Sequence, residues 1–123
     1  MRVGADIAER LLVFGVTVVQ LAARLPKHPA ARHVGLQLVR SGTGAGSNYE
    51  EGRSAESRAD FVHKVAVAAK EMREACYWTA LVARSGWIEE DLSPVLREAS
   101  ELAAILGASV RTARAGAERH GRL

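Results

Sequence analysis

The chain has 123 residues, 48% of them hydrophobic and only 5% aromatic, and its 17 Lys/Arg against 14 Asp/Glu leave a formal net charge of +3. That is the length of one domain, and a composition rich in Ala and Leu favours helices over sheets. The single cysteine, Cys76, excludes an internal disulfide framework and a cysteine-based zinc site, and it fits a reducing cytoplasm.

The first six residues lack the order of a signal peptide. Residues 11–23 are apolar-rich but too short, and flanked by Arg10 and Arg24, to span a bilayer. A cytoplasmic protein without a membrane partner is expected. Charge is unevenly placed: residues 1–49 carry six Lys/Arg and two acids, residues 50–106 seven and eleven, residues 107–123 four and one. Basic ends flank an acidic middle, a pattern that attracts nucleic acid or pairs one subunit's end with another's flank.

A first helix is predicted over about residues 5–25. Ile7, Leu11, Phe14, Val18, Leu21 and Leu25 recur in alternating steps of four and three, the seam of a bundle helix. Leu12, Val16 and Val19 lie off that seam. A monomer rarely exposes a large apolar patch, so self-association is expected through them. Pro26 and Pro29 are expected to end the helix. Arg24, Lys27, His28, Arg32 and His33 then follow one another with no acid among them. Read plainly, this is a solvated turn with basic residues near a helix C-terminus. Read more sharply, Arg24, Lys27, Arg32 and Arg40, with Arg111 and Arg114 from the far end of the chain, are candidate nucleic-acid contacts.

The second helix is predicted over about residues 31–52, and it contains Gly42-Thr-Gly-Ala-Gly-Ser-Asn48. A phosphate-binding loop would need a strand before the glycines and a helix opening on them. Instead Val34, Leu38 and Ser41 approach in helical steps, no Walker lysine follows, and the spacing does not fit Gly-x-Gly-x-x-Gly. Inside a helix each glycine costs about 1 kcal/mol against alanine, which close approach of a neighbouring helix offsets. Ser41, Ala45 and Asn48 continue the stripe of Val34 and Leu38. Arg40, Asn48 and Glu51 are read as a buried polar network that fixes helix register.

Ser57-Arg-Ala-Asp60 is a capping-box-like start with Asp60 in place of the usual Glu. It opens a third helix over about residues 58–85, with Phe61, Val65, Ala68, Met72, Ala75, Thr79 and Val82 as its seam. Trp78 reads as a core or interface anchor, and Gly86 as a left-handed stop with Trp87 folding back over it. Ser93-Pro94 reads as N-cap and first residue of a fourth helix over about residues 93–114, carrying Leu96, Ala99, Leu102, Ala103, Leu106, Val110 and Ala113. Residues 115–123 lose that periodicity and are expected to fray into a basic tail.

Catalytic patterns are thin. A di-iron bundle site needs two Glu-x-x-His motifs, and Asp60-Phe-Val-His63 is the one approximation, so no metal and no cofactor are expected. Arg58 and His63, and again Arg114 and His120, have the spacing used by some small helical-bundle ribonucleases, where His is the general acid/base and Arg steadies phosphate charge. Arg58 is followed by Ala59 where a polar residue would be expected, and a non-enzymatic protein is the expectation.

The ordered set Gln37, Arg40-Ser41, Asn48-Tyr49, Glu51, Ser57-Arg58, Asp60-Phe61, Lys64, Lys70-Glu71 and Tyr77-Trp78 resembles the 23S rRNA-intervening-sequence proteins, small bacterial four-helix bundles. Gly44 and Ala45 depart from it where a Ser and a β-branched residue would precede the Asn. The resemblance implies a ring-like homo-oligomer, typically a pentamer. It also implies kinship with the accessory proteins that bind the reverse transcriptase and RNA of diversity-generating retroelements. The expected fold is all-α, one up-down-up-down antiparallel four-helix bundle, serving as an RNA- or nucleoprotein-binding scaffold. A purely structural oligomer and the ribonuclease are the alternatives.

Overall fold

The computed structural model of the chain describes residues 4–121. Four helices fill the described residues: α1 (Ala5–Ala23), α2 (Pro29–Arg53), α3 (Arg58–Ser85) and α4 (Ser93–Gly121). Short turns reverse the chain three times, which gives the expected up-down-up-down bundle. The α2–α3 interface is the most extensive, followed by α3–α4 and α1–α2, while α1 meets α4 along a thin seam.

The periodic seams become the core. Leu11, Phe14, Val18, Leu21 and Leu25 are buried from the α1 side, and Val65, Ala68, Met72, Ala75, Thr79 and Val82 from α3. On α4, Ala99, Leu102, Leu106, Val110 and Ala113 are buried. The hydroxyls buried among them are satisfied within their own helices: Ser41 Oγ donates to Gln37 O at 2.7 Å, and Thr79 Oγ1 to Ala75 O at 2.7 Å. The glycine stretch is helical and explains the tight α1–α2 contact. A Cβ at Gly42 would stand 2.6 Å from Val18 Cγ2, so that helix pair can close only on a glycine.

The turns follow local chemistry. Ser57 Oγ accepts from Asp60 N at 3.1 Å and caps α3, as expected. Gly86 takes φ 79° at the other end, and Trp87 N donates to Ser85 Oγ at 3.0 Å as the chain folds back. Pro29 corrects one expectation. It opens α2 at its first position instead of closing α1, and the extended His28 before it caps the helix, its Nδ1 accepting from Ala31 N at 3.2 Å. Asp91 corrects another: its Oδ1 accepts from Ser93 N at 3.0 Å and Ser93 Oγ at 2.7 Å, so Asp91, not Ser93, receives the free N–H at the start of α4.

The largest correction concerns the C-terminus. The segment expected to fray from residue 115 continues α4 to Gly121. Gly116 is buried, and a Cβ there would lie 3.0 Å from Arg58 Nη1, so the start of α3 supports the extra turns. Residues 122 and 123 lie outside the described residues, as do the side chains of Ala117 and His120. Among the described residues no helix is long and apolar enough to cross a membrane, and no three His, Cys, Asp or Glu gather as a metal would need.

Candidate functional site

Two surfaces stand out, a polar clamp on the α2–α3 flank and an apolar face along the α1–α2 line. The clamp is centred on Arg40. Its Nε donates to Gln37 Oε1 at 3.1 Å, one turn earlier on α2. Its Nη1 reaches Glu71 Oε2 at 3.0 Å, and its Nη2 reaches Glu74 Oε2, both on α3. The Glu74 oxygen also accepts from Trp78 Nε1 at 3.0 Å. Trp78 stands edge-on to His33 at 5.9 Å and to Tyr77 at 5.0 Å. Gly44 faces the Glu71 carboxylate, and a Cβ there would meet Glu71 Oε2 at 3.4 Å, an ordinary contact.

Helix geometry explains the assembly. Glu71, Glu74 and Trp78 are spaced by three and four and so share one side of α3; Gln37 and Arg40 share the facing side of α2. Both carboxylates meet one guanidinium, and the bond from its indole to Glu74 orients Trp78. The clamp is a polar link between α2 and α3.

Arg40, Asn48 and Glu51 do not form one network. Asn48 Nδ2 donates to Gly44 O at 2.9 Å within α2, and Glu51 Oε1 lies 3.5 Å from Lys64 Nζ. Arg40 turns instead to α3, because acids one helix away match its reach and those on its own helix lie two or more turns off. Arg24 Nη1 is paired with Glu90 Oε1 at 2.7 Å, in the α3–α4 loop. Lys27 and Arg32 are exposed at the same end, while Arg111 and Arg114 are exposed towards the far end of α4. The candidate nucleic-acid contacts thus fall at two ends and one flank. Arg58 and His63 are five residues apart on α3, so they leave it about 140° apart; Arg58 lies against Gly116 and His63 is exposed. Glu74 was not singled out in the sequence, and the i, i+3, i+7 spacing of Glu71, Glu74 and Trp78 was the signal for it; His33 was read only as part of the basic turn.

The apolar face belongs to the outer side of α1. Leu12, Val16 and Val19 there, with Leu36 from α2, are 47–71% exposed. They border two neighbouring depressions along the α1–α2 line, with Val19 lining both. One, of about 710 Å³, is floored by Gly15, Thr43 and Gly46; the other, of about 590 Å³, by Ala22, Gly35 and Val39.

The family model of the 23S rRNA-intervening sequence protein matches residues 5–108. The chain belongs to this family. A crystal structure of a protein of unknown function from the S23 ribosomal protein family of Bacteroides thetaiotaomicron is also similar. It is 31% identical, with 85% of this chain and 97% of that one covered and a TM-score of 0.76. No curated protein matches. The intervening-sequence family match covers the clamp and the apolar face whole, and it ends before Arg111 and Arg114.

Proposed function

We propose that the chain is a non-enzymatic building block that assembles with copies of itself, in a ring such as the pentamer its resemblance implies, and holds RNA or a ribonucleoprotein. The observation that carries the reading is the apolar outer face of α1. Leu12, Val16 and Val19 form a ridge in helical steps, and the depression beside it is floored by Gly15, Thr43 and Gly46. Its surface is mostly apolar, with Leu11, Leu12, Val16 and Val19 beside polar Gln20, Ser47 and Glu50, so a fitting partner is an apolar helix ridge, which α1 of a second copy supplies. Ridge and groove lie side by side on one chain, which favours a heterologous, ring-closing contact. A ring would repeat Lys27, Arg32, Arg111 and Arg114 around each end and multiply their charge.

A non-enzymatic role is supported by the way the polar groups are used: Arg40, Glu71, Glu74 and Trp78 satisfy one another between helices. A cytoplasmic setting is part of the same proposal, supported by the free thiol of Cys76. The purely structural oligomer has one observation in its favour, since Arg24 and Arg40 are already paired with carboxylates. Light scattering decides the assembly: a multiple of the chain mass is expected at micromolar concentration, and a lower mass for Val16→Glu with helicity unchanged. A wild-type monomer would sink the reading. Cleavage of single-stranded RNA that disappears in His63→Ala would overturn its non-enzymatic part.

A further inference from the structure

The side of α3 turned away from the core carries Lys70, Arg73, Tyr77 and Arg84, all exposed. Steps of three, four and seven residues keep them in one stripe, about 21 Å long at 1.5 Å per residue. None of the three cations has an ion-pair partner among the described residues, whereas Arg10, Arg24, Arg40, Arg53 and Lys64 are each paired with a carboxylate. Of the acids on α3, Asp60 sits in the first turn, and Glu71 and Glu74 are turned to α2 and held by Arg40. The stripe therefore presents cations that no carboxylate pairs, the nearest on α3 being Glu74, one turn beyond Lys70 and held by Arg40.

Tyr77 stands in the middle of the stripe and is 62% exposed. It is also braced: its ring meets the Trp78 indole edge-on at 5.0 Å and 82°, and that indole is fixed by its bond to Glu74. Between Tyr77 and Arg84 lies a shallow trough of about 510 Å³, with Ala80 and Leu81 in its floor and Ser85 at its end. A held ring, an apolar floor and cations on both sides are what a single strand needs, since each unpaired base offers a face to stack and each phosphate a charge. A duplex hides its base faces, and an acidic protein surface would engage the cations but gain nothing from the ring.

We infer that this stripe binds single-stranded nucleic acid, with a base stacked on Tyr77 over the trough and the neighbouring phosphates held by Lys70, Arg73 and Arg84. The inference rests on the scaffold reading above, and moves the main contact from the basic ends of the bundle to the flank of α3. It is tested by fluorescence anisotropy with labelled oligouridine, oligodeoxythymidine and a duplex of equal length, titrated with the full chain at several salt concentrations. Single strands are expected to bind better than the duplex. Tyr77→Ala should weaken them about ten-fold, and Tyr77→Phe should restore binding. The triple variant Lys70→Gln, Arg73→Gln, Arg84→Gln should flatten the slope of log affinity against log salt by about 2. Thiouridine crosslinking to the wild type should map to the peptide bearing Tyr77, a readout that needs no variant to fold. Single-strand binding that survives both stripe variants but is lost in Lys27→Gln, Arg32→Gln overturns the inference and leaves the scaffold reading standing. Absence of binding to every probe at low salt overturns the inference and the nucleic-acid part of the scaffold reading together.

Discussion

Val18 of α1 lies against Gly42 of α2 so closely that a Cβ on the glycine would stand 2.6 Å from Val18 Cγ2. Val18 is fully buried and cannot swing aside. Gly42→Ala is therefore expected to destabilise the bundle by about 1–3 kcal/mol, overpacking outweighing the gain in helix propensity. Gly107→Ala is the control. Only the end of Arg111 lies near its would-be Cβ, at 3.6 Å, so it should stabilise by about 1 kcal/mol. Urea unfolding of the two variants should give shifts of opposite sign.

The clamp predicts a coupling. Arg40 and Glu74 are partly exposed, so each single truncation should cost only about 0.5–1 kcal/mol. Because both act through one carboxylate, a double-mutant cycle of Arg40→Ala and Glu74→Ala should be non-additive. Loss of Glu74 also frees the Trp78 indole, and a shift in its fluorescence should accompany Glu74→Ala but be smaller in Arg40→Ala.

If copies cover the α1 face, stability depends on concentration. The wild-type melting temperature should rise with protein concentration, because the folded chain alone can assemble. Val16→Glu should melt at one temperature across the same range. A concentration-independent wild type would separate the apolar face from assembly.

At the start of α4, the two bonds from Ser93 hold the Asp91 carboxyl below the ordinary carboxylate value. A group whose folded value is lowered contributes stability above its unfolded value, about pH 4, and loses it as pH falls through the folded value. Asp91→Asn should thus narrow the gap between variant and wild type on acidification. Thermal melts across the acid range would show the two curves converging; a constant gap would reject this.

The hydrophobic seams were legible because a helix repeats its inner face every three or four residues, and that repeat is local. Leu11, Phe14, Val18, Leu21 and Leu25 were read from it and are buried. So were the Ser57 cap and the Gly86 stop, each set by a few neighbouring residues. Arg40 was singled out, but not as the partner of Glu71 and Glu74. Periodicity says which residues share a side of one helix, and Asn48 and Glu51 do follow Arg40 along α2; it does not say which helix faces them. The extension of α4 was illegible for the same reason. It depends on Arg58 of α3 meeting Gly116, a contact between residues far apart in the chain.

The thin seam between α1 and α4 sets an order of release. Arg10 spans it to Glu98 and Glu101, at 2.7 and 2.8 Å, but all three side chains are partly exposed. α2, α3 and α4 are therefore the bound pages of a book, and α1 is a leaf hinged chiefly along α2. In an isolated chain its amides should exchange with solvent before those of α3. In an assembly, the neighbour that covers Leu12, Val16 and Val19 would press that leaf shut.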